Sequence, residues 1–151
     1  MTVGEICRKN VITARASDDL VQAAQLMRER HVGYIVVVEP EVEASTVRPI
    51  GVLTDRDIVV EVVAAGAEAR SLTVGDVMTE QPVTVTDTAS RNAALVEMRR
   101  IGVRRLPVVG HRGQLVGVVS LDDLIGALAR DLQDVSGSIV NEQRIEGALR
   151  V

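Results

Sequence analysis

The sequence predicts an α/β (α+β) fold of two tandem βαββα repeats that are related by a pseudo-two-fold axis. The first indication is self-similarity, because a shift of 71 residues aligns residues 2–38 with 73–109 at ten identities in 37 positions. The second is a change of register to 66, which places residues 50–58 over residues 116–124. The third is the same order of apolar runs and helical stripes in both copies. Two copies are too few for a solenoid, so we expect them to pack on each other.

Each copy begins with a short strand that leads into a helix. In the first helix Leu20, Ala23 and Met27 recur at helical spacing and form one apolar stripe. The strands are expected at residues 11–14 and 83–86, and the helices at about residues 17–30 and 88–100.

Two adjacent strands and a second helix complete each copy. The β-branched run at residues 58–63 would also suit a strand. The aligned Leu121, Leu124 and Leu128 stand at helical spacing, however, so a helix is predicted in both copies. The strands, which are apolar runs between turn signals, are expected at residues 34–38, 50–53, 106–109 and 115–119, and the closing helices at residues 55–65 and 121–132.

These elements divide the chain into a first repeat at residues 1–66, a second at residues 67–132 and a C-terminal tail at residues 133–151. The five-residue difference between the two registers falls in residues 39–49, which predicts a longer hairpin loop in the first copy. The tail carries Ser-Gly-Ser and few apolar residues, so we expect a short helix at about residues 139–149 and no function there.

The composition is that of a globular protein with an aliphatic core. Of its 151 residues, 46% are hydrophobic and 25% are charged. Its single aromatic residue is Tyr34, so the chain cannot build the stacking platform that single-stranded nucleic acids require. A net charge of −4 also argues against nucleic acid as a partner.

Several other classes of protein are not expected. The sequence has no apolar run long enough for a membrane-spanning helix and no secretory leader pattern, so a cytoplasmic location is expected. The lone Cys7 cannot form an intramolecular disulfide, and with His31 and His111 it lacks the spacing of a zinc site. No pair of acids and no nucleophile motif indicates catalysis, so the chain is not expected to be an enzyme.

One motif occurs twice, at the start of each closing helix. It reads Gly-Val-Leu-Thr-Asp-Arg-Asp at residues 51–57 and Gly-Val-Val-Ser-Leu-Asp-Asp at residues 117–123. Further segments are Val-Gly-Asp-Val-Met at residues 74–78 and Val-Arg-Arg-Leu-Pro-Val-Val at residues 103–109. Their order and duplication resemble the cystathionine β-synthase (CBS) domain pair. The resemblance, which extends to about residue 132, implies a stand-alone tandem (Bateman) module that dimerises and has two clefts for adenosine-containing ligands.

The duplicated signature has two interpretations, which both remain open. In one, the Thr or Ser and the Asp three residues later form a capping box at a helix start. In the other, the carboxylate accepts hydrogen bonds from ribose hydroxyls, while the hydroxyl and the free amides suit a phosphate. A side chain at either glycine would crowd a ligand or a neighbouring helix. The family's Gly-x-x-Thr/Ser-x-x-Asp pattern carries over onto Gly51, Thr54 and Asp57, and onto Gly117, Ser120 and Asp123.

The two implied clefts should differ in charge. Arg56 provides a phosphate partner in the first copy, whereas Asp122 occupies the aligned position in the second. By the resemblance, aliphatic and backbone groups of the strands hold the base. The first cleft is expected to use Ile12, Ala14, Tyr34, Ile35, Thr54, Arg56 and Asp57. The second is expected to use Val83, Val85, Arg104, Arg105, Leu106, Pro107, Ser120 and Asp123.

Two functions are therefore weighed. The first is a non-catalytic regulatory module that binds AMP, ADP, ATP, S-adenosylmethionine or NADH without a tightly bound cofactor. Such a module would form a homodimer and signal by a change of shape to a protein on another chain. The second is a ligand-independent dimerisation or protein-interaction module, in which both signatures serve only as helix caps.

Overall fold

The structure, a computed structural model, describes residues 1–40 and 46–149. Residues 41–45 of the predicted hairpin loop and the last two residues of the tail lie outside the described residues. The first half contains α1 (Val3–Ile6), β1 (Thr13–Ala14), α2 (Leu20–Arg30), β2 (Tyr34–Pro40), β3 (Val47–Thr54) and α3 (Asp55–Ile58). The second half contains α4 (Val74–Val77), β4 (Thr79–Glu80), β5 (Val85–Thr86), α5 (Arg91–Ile101), β6 (Arg105–Val109), β7 (Leu115–Ser120) and α6 (Leu121–Leu149).

Two sheets confirm the predicted pair of α/β repeats. In the first sheet β1 runs parallel to β2, and β2 runs antiparallel to β3, which also pairs with β4. In the second sheet β5 is parallel to β6, and β6 is antiparallel to β7. Each sheet has its own aliphatic core, as the composition predicts.

The first helix of each repeat begins later than predicted. The residues just before α2 and α5 have extended backbones and act as N-caps. The side chain of Asp19 accepts a hydrogen bond from the amide of Gln22, and that of Ser90 accepts one from the amide of Ala93. Because an N-cap residue lies outside the helical conformation, the predicted first turns are not part of either helix.

The β-branched run after α3 is helical, as the comparison of the two copies predicts. Residues Val59–Val63 continue α3 as a π-helical segment. A 3-10 turn at Ala69–Ser71 then leads into α4.

The two repeats exchange the short helices α1 and α4, which precede their first strands. Val3 of α1 is fully buried in the core of the second repeat, and its amide donates a 2.8 Å hydrogen bond to the carbonyl of Ala89. Val74 of α4 is fully buried in the core of the first repeat, and its amide donates a 2.9 Å bond to the carbonyl of Asp18. Each half therefore depends on a segment of the other for a complete core.

The two motif glycines make this exchange sterically feasible. A Cβ at Gly117 would lie 2.7 Å from the carbonyl oxygen of Arg8 and 2.8 Å from Sγ of Cys7. A Cβ at Gly51 would lie 2.5 Å from Sδ of Met78. Sequence reasoning expected a ligand or a helix at these glycines, but their neighbours are the chain segments that follow α1 and α4.

The expected end of the last helix at residue 132 was wrong. Instead of a closing helix and a separate short one, α6 is a single helix of 29 residues, Leu121–Leu149. Its first turns bury Leu124 and Ala127, whereas every residue from 132 to 149 is exposed. The Ser-Gly-Ser at residues 136–138 lowers helix propensity without interrupting the helix.

None of the helices in residues 1–40 and 46–149 combines the length and the apolar character needed to cross a membrane.

Candidate functional site

Two clefts lie where the repeats meet. The larger one, cleft A, has a volume of about 630 Å³. The smaller one, cleft B, has a volume of about 260 Å³. Pockets for small molecules usually measure about 300–1,000 Å³, so cleft A falls within this range and cleft B lies just below it.

Each cleft combines the signature of one repeat with strands of the other. The first-repeat residues predicted for a site that line cleft A are Tyr34, Thr54, Arg56 and Asp57, and the second-repeat ones are Val83, Arg104, Arg105, Leu106 and Pro107. In cleft B, the predicted residues are Ile12, Tyr34, Arg105, Ser120 and Asp123.

The grouping of site residues by repeat was therefore wrong. Sequence reasoning placed Thr54 and Asp57 with Ile12, but the structure places them with Val83. Both clefts form at the boundary between the repeats, so the signature of one copy faces the segment just before the first strand of the other. The periodicity of apolar residues within one repeat does not indicate which segment of the other repeat its signature will face.

Three predicted residues line neither of the two clefts. Ala14 and Ile35 are buried in the core of the first repeat, and Val85 is buried in that of the second. Ile35 follows Tyr34 along β2, so alternation along the strand directs its side chain to the opposite face of the sheet, into the core. The three residues stabilise the sheets on which the clefts are built.

In cleft A the signature forms a capping box. The amide of Asp57 donates a 3.1 Å hydrogen bond to Oγ1 of Thr54, and the amide of Thr54 donates a 2.8 Å bond to Oδ2 of Asp57. Among the described residues, nothing donates a hydrogen bond to Oδ1 of Asp57. One carboxylate oxygen in cleft A is therefore available to a ligand hydroxyl.

In cleft B the same box carries an additional contact. The amide and the hydroxyl of Ser120 both donate to Oδ2 of Asp123, at 2.9 and 2.6 Å. Nε of Arg8 donates a 3.2 Å bond to Oδ1, so both oxygens of this carboxylate are engaged. Burial alone would raise the pKa of Asp123, but the bonds from Ser120 and Arg8 outweigh it and hold that pKa below its ordinary value.

Three arginines give cleft A a basic edge. Nη2 of Arg104 lies 3.7 Å from Oδ1 of Asp122, and both side chains are mostly exposed. An exposed pair at this distance contributes little stability, so Arg104 can be recruited by an anion at small cost. The Arg56 guanidinium has no hydrogen-bond or ion-pair partner in the described part of the chain. Arg105 is the third arginine of this edge.

The single tyrosine lies between the clefts. Tyr34 and Arg105 each line both clefts, and Cζ of Arg105 lies 5.9 Å from the centroid of the Tyr34 ring, within cation–π distance. Burial raises the pKa of the Tyr34 phenol well above its ordinary value, although the Arg105 charge acts in the opposite direction.

Sequence reasoning missed the contributions of the segments that follow α1 and α4. Arg8 and Asn10 line cleft B, and Thr79 and Gln81 line cleft A. The 71-residue shift aligns Arg8 with Thr79, so the repeat itself held a signal that these positions are equivalent.

The fold and the clefts define a two-repeat α/β module whose candidate sites lie at the boundary between its repeats. The CBS domain family matches residues 3–64 and 74–130. The chain therefore belongs to the CBS domain family and carries a pair of CBS domains.

Two relatives illustrate this membership. An uncharacterised protein of Methanopyrus kandleri is 35% identical over 125 residues, which cover 83% of this chain and 61% of that protein. The chain thus spans less than two thirds of that relative. Hypoxic response protein 1 of Mycobacterium tuberculosis is 32% identical over 123 residues, or 82% of either chain. Its crystal structure with two coordinated zinc ions has a TM-score of 0.71, at 32% identity, and covers 83% of this chain and 97% of that one.

A further solved structure shares the fold at lower identity. The CBS domain pair of MJ0100, in complex with 5′-methylthioadenosine and S-adenosyl-L-methionine, has a TM-score of 0.73 at 20% identity. The match covers 87% of this chain and 98% of that one.

In the described ranges of this chain, no three His, Cys, Asp or Glu residues are grouped so as to hold a metal ion.

Proposed function

We propose that this chain is a non-catalytic regulatory module that binds an adenosine-containing ligand in cleft A. The observation that carries the proposal is the composition of that cleft, which combines an available carboxylate oxygen of Asp57 with three arginines and an apolar wall. Such a set matches the ribose, the phosphate and the base of a nucleotide, and the volume of about 630 Å³ is sufficient for one.

Each part of the ligand has a partner in this proposal. Oδ1 of Asp57 accepts hydrogen bonds from ribose hydroxyls, as carboxylates do in other nucleotide sites. Arg56 and Arg104 make charge-assisted contacts with a phosphate. The base lies against the apolar wall around Val83, so that aliphatic contacts replace the aromatic stacking that this chain cannot provide.

Regulation would follow from the position of the cleft. A ligand held by residues of both repeats stabilises the arrangement of repeats that it fits best. The size of any shift is limited by the difference in ligand affinity between the two arrangements. We propose that a regulated protein on another chain responds to that shift, in the reducing environment of the cytoplasm that the unpaired Cys7 suits.

The similarity to MJ0100 supports this proposal only at the level of the fold. The MJ0100 pair holds two adenosyl compounds, so this architecture can accommodate them. The choice of an adenosine ligand for this chain depends on the residues of cleft A.

A second candidate function is self-association, which one surface favours. The apolar residues Ile125, Leu128, Leu132, Val135 and Ile139 are exposed along α6, at alternating spacings of three and four residues. This narrow stripe is typical of a helix that pairs with another helix. The exposed part of α6, residues 132–149 with two glycines, is also marginal by itself in water, so we propose a homodimer in which the α6 stripes of two copies pair.

The ligand proposal is tested by thermal unfolding with AMP, ADP, ATP, S-adenosylmethionine and NADH. A ligand at 100 times its Kd stabilises the folded state by about 2.7 kcal/mol. At about 2–4 °C per kcal/mol, this raises the Tm by roughly 5–10 °C. If no compound raises the Tm at millimolar concentration, the proposal is refuted and the self-association candidate remains.

Two matched variants separate ligand binding from helix capping. Asp76 forms the same type of capping box with Thr73, with a 2.8 Å bond to its amide, but it lines neither of the two clefts. Asp57→Asn should abolish the ligand-induced rise in Tm, whereas Asp76→Asn should retain it. Equal loss in both variants would mean that the carboxylate of Asp57 serves only as a cap.

A further inference from the structure

Equivalent positions of the two repeats meet between the clefts. The 71-residue shift aligns Tyr34 with Arg105, so these residues occupy the same place in the two copies. Tyr34 pairs with Thr54 across β2 and β3, and Arg105 pairs with Ser120 across β6 and β7. Each therefore stands beside the hydroxyl residue of its own signature, and each lines both clefts.

The half-buried Tyr34 ring holds Arg105 at this boundary. A guanidinium attracted to an aromatic ring by its cation–π interaction keeps its hydrogen-bond donors available to other partners. From its place 5.9 Å from the ring centroid, Arg105 borders cleft A on one side and cleft B on the other. The Arg105 guanidinium can therefore contact a ligand in either cleft.

Without Arg105 the lining of cleft A is neutral, but it still contains two arginines. Its other arginines are Arg56 and Arg104, and its acids are Asp55 and Asp57, so Arg105 brings the lining charge from zero to +1. Arg56 and Arg104 remain as separate anion partners there.

Cleft B depends on Arg105 much more strongly. Its lining includes Asp122 and Asp123 against Arg8 and Arg105, which gives a charge of zero with His31 neutral. The Arg8 guanidinium is already paired with Asp123. If Arg105 turns towards cleft A, cleft B keeps a charge of −1 and no unpaired arginine in its lining.

We propose that Arg105 is a cation shared by the two clefts, and that it limits the chain to one phosphate-bearing ligand at a time, bound in cleft A. This inference depends on the proposed nucleotide function. An anion in cleft A draws Arg105 towards it and leaves cleft B acidic, which disfavours a second anion. Because linkage is reciprocal, an anion forced into cleft B would weaken binding in cleft A by the same factor.

The test compares AMP with adenosine, which lacks the phosphate, by isothermal titration calorimetry on the full chain. The wild type should bind one AMP per chain. Arg105→Gln should weaken AMP binding on the order of 10-fold, as expected for the loss of a charge-assisted hydrogen bond. The affinity for adenosine should change less than about twofold, since no phosphate contact is lost.

A second variant tests the acidic character of cleft B. The 66-residue register aligns Asp122 with Arg56, so Asp122→Arg gives cleft B the cation that cleft A already has. This variant should bind a second AMP per chain, because cleft B no longer needs Arg105. Asp122→Asn is the control of similar size, and it should remain at one AMP.

Each alternative outcome contradicts the inference in a different way. Two AMP molecules that bind the wild type with equal affinities would show that no cation is shared. A stoichiometry of one in Asp122→Arg would mean that the size of cleft B sets the limit. An equal loss of AMP and adenosine in Arg105→Gln would assign Arg105 a purely structural role. Folded wild type that binds neither AMP nor adenosine, nor any other compound of the thermal unfolding test, would refute the nucleotide function itself.

Discussion

Replacement of Gly117 by alanine tests the exchange of segments between the repeats. The new Cβ would lie 2.7 Å from the carbonyl oxygen of Arg8 and 2.8 Å from Sγ of Cys7, and real Cβ atoms do not approach that closely. Arg8 and Val118 exchange two 2.9 Å backbone hydrogen bonds, so the crossing segment cannot move away without loss of this bridge. We expect Gly117→Ala to destabilise the fold by about 1–3 kcal/mol, the usual cost of overpacking.

Thermal and urea unfolding measure this loss. For a chain of this size, about 2–4 °C per kcal/mol converts the expected loss into a Tm lower by roughly 2–12 °C. Gly51→Ala should cost less, because its nearest neighbour is the flexible thioether of Met78. Gly137→Ala, with nothing within 4 Å of the new Cβ, should stabilise α6 by up to about 1 kcal/mol. A Gly117→Ala protein as stable as the wild type would refute the packing at the crossing segment.

Three further predictions follow from single side chains. The pKa of Asp123 is lower in the folded state than its ordinary value of 3.8. The charged carboxylate therefore stabilises the folded state above pH 3.8, and this stabilisation is lost as the pH falls through the lowered pKa. In urea unfolding, the free energy of unfolding of Asp123→Asn should fall less with acid than that of the wild type. Tyr34 is the only tyrosine, and burial raises its pKa. Absorbance near 295 nm should therefore show no phenolate in the folded chain just above pH 10, where an ordinary tyrosine ionises. Phenolate absorbance at that pH would contradict the burial of Tyr34. Leu132→Glu should abolish self-association, as measured by light scattering, and leave the Tm of the repeats nearly unchanged. The control Gln133→Glu, on the polar face of α6, should preserve the dimer. Equal molecular masses for the two variants would exclude the α6 stripe as the interface.

Much of the fold could be predicted from the sequence because an ambiguous segment of one copy can be compared with its aligned segment in the other. The helical spacing of Leu121, Leu124 and Leu128 correctly decides the structure of the β-branched run in the first copy. The end of α6 could not be predicted in this way, because no second copy aligns with the residues after 132. Hydrophobicity falls there, yet local hydrogen bonding continues the helix through residues that are all exposed.

The candidate site was predictable in its residues but not in their arrangement. The duplicated signature indicates Thr54, Asp57, Ser120 and Asp123, and all four line a cleft. Which strand faces which signature depends on packing across the boundary between repeats, and a single repeat carries no trace of it. The contact of Arg8 with Asp123 is missing from the predictions for the same reason.

The central claim is that an adenosine-containing ligand binds in cleft A, and an NMR titration of the full chain with AMP tests it most directly. The amide signals of Thr54, Val83 and Leu106 should shift progressively with AMP and reach saturation. Those of Ile12 and Val118, which line only cleft B, should change little. Shifts confined to cleft B, or no saturable shift with AMP or any of the other four compounds at millimolar concentration, would contradict the claim.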